Sequence, residues 1–255
     1  ALGVLPCDSA SELVLGGPIP QLGIHAFEPY QWIGRSGDKP LAAALPAALK
    51  RVGFETLFVH PYDGTFYRRD RVLPKLGFDR FIDIREFDPP TNNEPYVRDS
   101  AVGRKVSEFI HSQPLDQALF LYGVTMQGHG PYASGAQSTS PHAMFAGYQN
   151  RMRATDSMLA QLVRTIEPLD RPVVLCAFGD HLPILPEVYD AWGLPNDTTD
   201  YVIWCNDSHM GRHGGPETDL PRRDGLPEQT NALACHALAA QVMAAAGIGG
   251  YRHED

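Results

Sequence analysis

The stretch Cys176–Pro186, CAFGDHLPILP, sets a carboxylate and an imidazole side by side where an apolar run stops and prolines prevent it from continuing. Asp180 and His181 offer an anionic oxygen and a neutral nitrogen, a common ligand pair for Zn²⁺ or Mn²⁺, with Mg²⁺ a further candidate. The same residues also suit a tight turn in which Asp caps the backbone and His faces solvent, and spacing alone does not separate the two readings. Other apolar runs end in a similar way. His60 and then Tyr67, Arg68 and Arg69 follow TLFVH, Gln127 and His129 follow ALFLYGVTM, and Asp207, His209 and His213 follow DYVIWCN. His60, His129, His181, His209 and His213 are five of the ten histidines, all within a few residues of the end of an apolar run. Any one of them is ordinary surface chemistry, but their concentration suggests a site. Arg68 and Arg69 are adjacent, so in extended chain one can reach an anion while the other pairs with Asp70 or Asp79.

These residues need a scaffold that brings strand ends together. Thr56–His60, Ala118–Met126, Pro172–Phe178 and Asp200–Asn206 are short, nearly continuous apolar runs rich in β-branched and aromatic residues, the pattern of strands buried on both faces. Helical segments alternate with them at Lys39–Val52, Asp99–Ser112, Ala143–Glu167 and Thr230–Ala246, with Asp99 and Thr230 as expected caps. Strand–helix alternation predicts an α/β fold, a largely parallel central sheet with helices on both faces, and a single domain over residues 1–255. Ligands of such sheets bind outside the carboxyl ends of the strands, where these histidines lie. Phe87–Tyr96, Tyr132–Pro141 and Ser208–Glu228 read as long loops.

Composition narrows the partners. With 43% hydrophobic residues in 255, the chain has ample material for a core, and its net charge of −9 argues against holding nucleic acid by its phosphates. An anionic ligand then needs local positive charge or a metal. Four widely spaced cysteines form neither a zinc knuckle nor a disulfide scaffold. No apolar run reaches the roughly 20 residues that span a bilayer, although a membrane region in a longer parent protein is compatible with the sequence.

The blocks HPYDGTFYRRDRVLPKLGFDRFID, FLYGVTMQGHGPY, YQNRMRATDSMLAQLV and VVLCAFGDHLP, in this order, resemble the sulfatase-like domain of lipoteichoic acid synthases and related phosphoglycerol transferases of the alkaline phosphatase superfamily. The resemblance extends from about Glu12 to Trp204. It implies that Asp180 and His181 bind a catalytic divalent metal, that His60, Tyr67 and Arg69 line a phosphoglycerol pocket, and that His129 contacts the substrate phosphate. It also implies a periplasmic or extracytoplasmic setting.

Two departures bear on catalysis. Where the family places a nucleophilic Thr before a Glu-Leu pair, LPCDSASELVLGG has Asp8. Ser9 is the conservative nucleophile, because a metal-bound alkoxide can attack phosphorus. Asp8 can instead ligate metal. Counting back from Gly17 puts Cys7 at the nucleophile position, as in sulfatases, but without the Pro and Arg that usually follow. Asp8 or Ser9 followed by Glu12 also fits a capped helix start. The acidic ligand of the family's first core strand has no counterpart in the sequence, so either that strand lies outside it or the site is degenerate.

The expected function is a metal-dependent phosphotransferase or phosphodiesterase acting on phosphoglycerol-type or related phosphodiesters of bacterial envelope or capsular glycans, with a phosphorylated lipid or glycan as substrate. The alternatives are a sulfatase-like hydrolase and a non-catalytic pseudoenzyme that binds polysaccharide or a partner enzyme.

Overall fold

A computed structural model of the chain describes residues 2–6, 44–90, 94–132, 140–195, 198–209 and 235–248. Its strands are β1 (Leu2–Pro6), β2 (Glu55–Val59), β3 (Arg80–Ile82), β4 (Leu119–Gly123), β5 (Val174–Phe178) and β6 (Thr198–Cys205). The helices are α1 (Leu45–Arg51), α2 (Arg69–Leu76), α3 (Asp99–Ser112), α4 (Pro141–Ile166), α5 (Pro186–Trp192) and α6 (Cys235–Ala245).

Period-2 alternation of the strands divides the apolar residues between two faces. Phe58, Tyr122, Cys176, Tyr201 and Ile203 pack on one side with Leu45 and Leu49 of α1, Val72, Leu73 and Leu76 of α2, and Leu238 and Met243 of α6. Val59, Leu121, Leu175 and Trp204 pack on the other with Val102 and Val106 of α3 and Leu162 and Ile166 of α4. This is the three-layer α/β arrangement expected from strand–helix alternation. Truncating a fully buried core residue such as Leu73 to Ala should cost about 2–5 kcal/mol. Gly77 ends α2 at φ 99°, where a Cβ would stand 2.6 Å from the Ala47 backbone, so only glycine lets α2 stop against α1.

The strands pair in two sets that share these cores. β3-β2-β4 is parallel throughout, whereas β1-β6-β5 is antiparallel, with β6 running against both neighbours. The direction of β6 corrects one expectation. Because Phe178 at the end of β5 pairs with Tyr201 and Val174 pairs with Cys205, β6 ends at the edge where β5 begins. Asp207 and His209 therefore lie away from Asp180 and His181. Their edge is structural: buried Asn206 accepts from the Val173 amide at 2.9 Å and donates to the carbonyl of Arg171 at 2.9 Å, while His209 is 1% exposed. His213 lies outside the described residues, as does Thr230.

Asp99 is not the cap of α3. Arg98 is the N-cap, and Asp99 sits inside the first turn with its carboxylate buried. The helix nevertheless spans Asp99–Ser112 as the sequence predicts.

Candidate active site

Three segments meet where β2, β4 and β5 end. The first begins at His60, whose amide donates to the Ile82 carbonyl at 2.9 Å and extends the β2–β3 pairing by one residue. Its ring is 2% exposed, and Nδ1 donates to the Val124 carbonyl at 3.4 Å. A carbonyl can only accept, so Nδ1 carries the proton and the lone pair is on Nε2. That nitrogen is buried without a hydrogen-bond partner. Burial, reinforced by the nearby Arg69 guanidinium, lowers the His60 pKa to about 3, so the ring is neutral. A buried lone pair of this kind suits a ligand hydroxyl that donates to it.

After His60 the chain turns sharply. Asp63 accepts from both the amide and the hydroxyl of Thr65 at 2.8 Å, and Tyr67 and Arg68 then adopt consecutive left-handed conformations, φ 54° and 56°. For non-glycine residues this costs about 1–2 kcal/mol each, strain that proteins tend to keep at functional sites. The turn separates the two arginines. Arg68 is exposed, whereas Arg69 opens α2 partly buried, its guanidinium 5.4 Å from the ring centres of Phe66 and of Tyr67. Their divergence thus comes from left-handed backbone rather than from an extended strand. Asp79, one of the carboxylates expected to pair with an arginine, instead engages Lys50 and Thr56.

The second segment is the loop after β4, and it is clamped from two helices. Within α3, Asp99 receives Thr155 Oγ1 at 2.6 Å and the Gln127 amide at 3.3 Å, while its own amide donates to Gln127 Oε1 at 2.8 Å. From α4, Arg151 donates to the carbonyls of Gln127 and Pro131, both at 2.8 Å. A Cβ at Gly147 would fall 1.9 Å from the Tyr132 carbonyl oxygen, so glycine is what lets α4 lie against this loop. His129 is thereby held between Tyr96 and His181, with ring centres 5.9 and 5.6 Å away. Burial first, then the neighbouring His181, lowers its pKa, against the pull of Asp180.

The third segment carries Asp180 and His181, whose side chains are 49% and 41% exposed. Nδ1 of His181 donates to the Leu182 carbonyl at 2.8 Å, which leaves the lone pair on Nε2, 3.8 Å from Asp180 Oδ2. A ring fixed by one N–H on a carbonyl, its other nitrogen beside a carboxylate, is a usual preparation for a metal ligand. These two donors fit a divalent cation; among the described residues no third His, Cys, Asp or Glu joins them in a metal-binding group. Cys7, Asp8 and Ser9 lie outside the described residues. The strand before them, β1, ends at Pro6 opposite Thr198, and the Asp200 backbone carbonyl accepts from the Gly179 amide at 3.4 Å, so β1 ends on the edge that carries Asp180.

The sequence-predicted residues His60, Tyr67, Arg69, His129, Asp180 and His181 thus form one connected cluster, with His60 buried beneath it. Sequence reasoning missed Tyr62 and Tyr96, which bridge His60 to His129 through ring contacts of 6.1, 6.4 and 5.9 Å, and Arg151 and Thr155. The last two lie four residues apart within YQNRMRATDSMLAQLV, a spacing that puts them on one helix face, and that was the available signal.

The layered α/β arrangement is that of alkaline phosphatase-like folds. Solved structures with this fold include the lipoteichoic acid synthase LtaP of Listeria monocytogenes (TM-score 0.67, 15% identity, 99% of this chain and 65% of that one). They also include the phosphoglycerol transferase GacH of Streptococcus pyogenes with sn-glycerol-1-phosphate (TM-score 0.65, 16% identity, 96% and 65%). The periplasmic domain of Escherichia coli EptC, complexed with zinc, aligns at TM-score 0.58 and 15% identity over 83% and 63%. The sulfatase family matches residues 20–248, and the chain belongs to it. A relative in sequence is the capsular polysaccharide biosynthesis protein RkpI of Rhizobium meliloti, 32% identical over 192 residues, which are 74% of this chain and 34% of that protein. The chain spans about a third of the length of the curated relatives it matches. Among the described residues no helix is long and apolar enough to cross a membrane.

Proposed function

We propose that this domain is a metal-dependent phosphotransferase or phosphodiesterase acting on phosphoglycerol-type or related phosphodiesters of an envelope or capsular glycan, on the outer side of the cytoplasmic membrane. The observation that carries the reading is the run of neighbours from Arg69 and the neutral acceptor His60 to His129, which lies against His181 of the Asp180–His181 pair. Arg69 offers charge to a phosphoryl oxygen, and His60 Nε2 accepts from a hydroxyl of the glycerol-type group. His129, held by the Asp99–Arg151 clamp, orients the phosphoryl group between the two. Asp180 and His181 would hold Mn²⁺, Zn²⁺ or Mg²⁺. When bound, such a cation polarises the phosphoryl group and lowers the pKa of an attacking hydroxyl. The similarity to a structure described as a phosphoglycerol transferase and to a capsular polysaccharide biosynthesis protein supports the substrate class.

For the nucleophile we propose Ser9, with Asp8 as a metal ligand and Cys7 as the next candidate. Metal content measured alongside turnover of a chromogenic phosphodiester tests the reading. Expected are a bound divalent cation, cation-dependent turnover, and loss of turnover in Ser9→Ala with the fold retained. In Asp8→Asn, loss of metal with Ser9 present would assign Asp8 as a ligand. Turnover of a sulfate ester in preference to the phosphodiester would make the domain a sulfatase, and no turnover of either with metal supplied would leave a binding protein.

A further inference from the structure

Beyond His181 lies a cavity of about 380 Å³, lined by His181 together with Tyr148, Thr198, Thr199 and Asp200. Its volume falls in the range of about 300–1,000 Å³ usual for small-molecule sites. Three features define what it can hold. The Tyr148 hydroxyl, the two threonine hydroxyls and the Asp200 carboxylate form no hydrogen bond or ion pair with other described residues, so acceptors and donors of both kinds stand ready in one cavity. No lysine or arginine is among the described residues that line it, and a carboxylate is, so an anion is disfavoured. Finally, Tyr148 continues an aromatic ridge along α4: His142 and Phe145 pack edge-on against Trp192, with ring centres 4.9 and 5.5 Å away, and Trp192 is 49% exposed.

We infer that this cavity is a subsite for a neutral sugar unit of the glycan, set against His181 with the aromatic ridge beside its mouth. Sugar hydroxyls donate to Asp200 and exchange hydrogen bonds with Tyr148, Thr198 and Thr199, while apolar C–H faces suit the exposed Trp192 ring. The anionic group instead meets Arg69 and His129, so the two chemistries of a phosphorylated glycan are sorted to opposite sides of His181. The inference rests on the proposed reading of the site as one acting on such glycans, and it concerns binding, which is measured without turnover.

Calorimetric titration of the chain with cellobiose, sophorose and maltose tests it, with glucose 6-phosphate as the anionic control and sn-glycerol-1-phosphate as probe of the Arg69 side. At least one neutral disaccharide should bind. Its affinity should fall about tenfold in Asp200→Ala and several-fold in Thr198→Ala, the effect of losing a hydrogen bond to a charged or a neutral group. Affinity for sn-glycerol-1-phosphate should stay within about twofold, since neither residue belongs to the phosphate side. Should a variant fail to show wild-type thermal unfolding, Tyr148→Phe, which removes only the hydroxyl, takes its place with the same expected direction. Absence of neutral disaccharide binding, binding unchanged by the substitutions, or tighter binding of glucose 6-phosphate than of any neutral sugar would overturn the inference. Disaccharide binding without phosphodiester turnover would uphold it while removing the catalytic reading, and turnover without disaccharide binding would do the reverse.

Discussion

Around His60 and His129 the candidate site is closely packed, whereas around Asp180 and His181 it is open. On the β2–β4 side a 2%-exposed imidazole hydrogen-bonds to a backbone carbonyl, a guanidinium lies over two aromatic rings, and a loop is clamped by Asp99, Thr155 and Arg151. On the β5–β6 side the Asp and His side chains are 49% and 41% exposed, and a single hydrogen bond, to the Leu182 carbonyl, orients the ring. On the proposed reading, the difference matches what each half would bind. Recognition of a tetrahedral anion and its hydroxyl-bearing group gains from fixed donors and acceptors in a low-dielectric setting. A cation organises its own ligands, and a carboxylate that serves as one is least costly where water reaches it.

The largest effect should come from the open half. His181→Ala should reduce phosphodiester turnover by about a thousandfold or more and remove the rise in thermal stability produced by Mn²⁺ or Zn²⁺. If cation-induced stabilisation persists in this variant, the metal lies elsewhere and the comparison of the two halves fails.

Arg69→Ala should weaken binding of sn-glycerol-1-phosphate by about a hundredfold, the scale of a charge-assisted hydrogen bond in a partly buried setting. Arg68→Ala, at an exposed position, should change it by less than about twofold. Equal losses measured by titration would show that the left-handed turn does not separate the two roles.

Loosening the clamp should have a smaller effect. Arg151→Met keeps much of the side-chain bulk but gives up both carbonyl contacts. It should lower kcat/KM by about tenfold while leaving cation affinity unchanged, since the His129 loop is displaced and Asp180–His181 is not. An equal loss of cation affinity would mean that the two halves are one cooperative unit.

The smallest effect concerns pH. His60 is neutral in the folded protein down to a pKa of about 3, against 6.5 for a free imidazole. Between those values the unfolded chain binds the extra proton, so stability falls as pH is lowered through the window and is fully retained above it. The slope attributable to one proton is at most about 1.4 kcal/mol per pH unit. Denaturant unfolding of wild type and His60→Gln from neutral to acid pH should show a shallower decline in the variant. Identical slopes would show that His60 is not desolvated as described.

Much of this architecture was already legible in residue order. The runs at TLFVH, ALFLYGVTM, PVVLCAF and DYVIWCN each became the greater part of a strand, and Asp99–Ser112 is a helix with the expected bounds, because apolar periodicity and length are local properties. The short β1 and β3 and the helices α2 and α5 were missed, being too brief for a periodic signal.

What residue order determined by itself was the set of chemical groups and their attachment to strand ends: His60, Arg69, His129, Asp180 and His181 each follow a recognisable run. Only the tertiary structure decided which ends share an edge. The sequence of β6 reads equally well in either direction, since a buried apolar strand satisfies its faces whichever way it runs. Its antiparallel pairing sent His209 to the far edge and brought Asp200 and Thr199 beside His181. Likewise, no local rule foretold that Tyr67 and Arg68 would both turn left-handed, or that Asp99, expected to cap its helix, would reach Thr155, 56 residues away. Burial creates those contacts, because a carboxylate or an imidazole taken out of water is stable only with the partners that the folded chain places within reach.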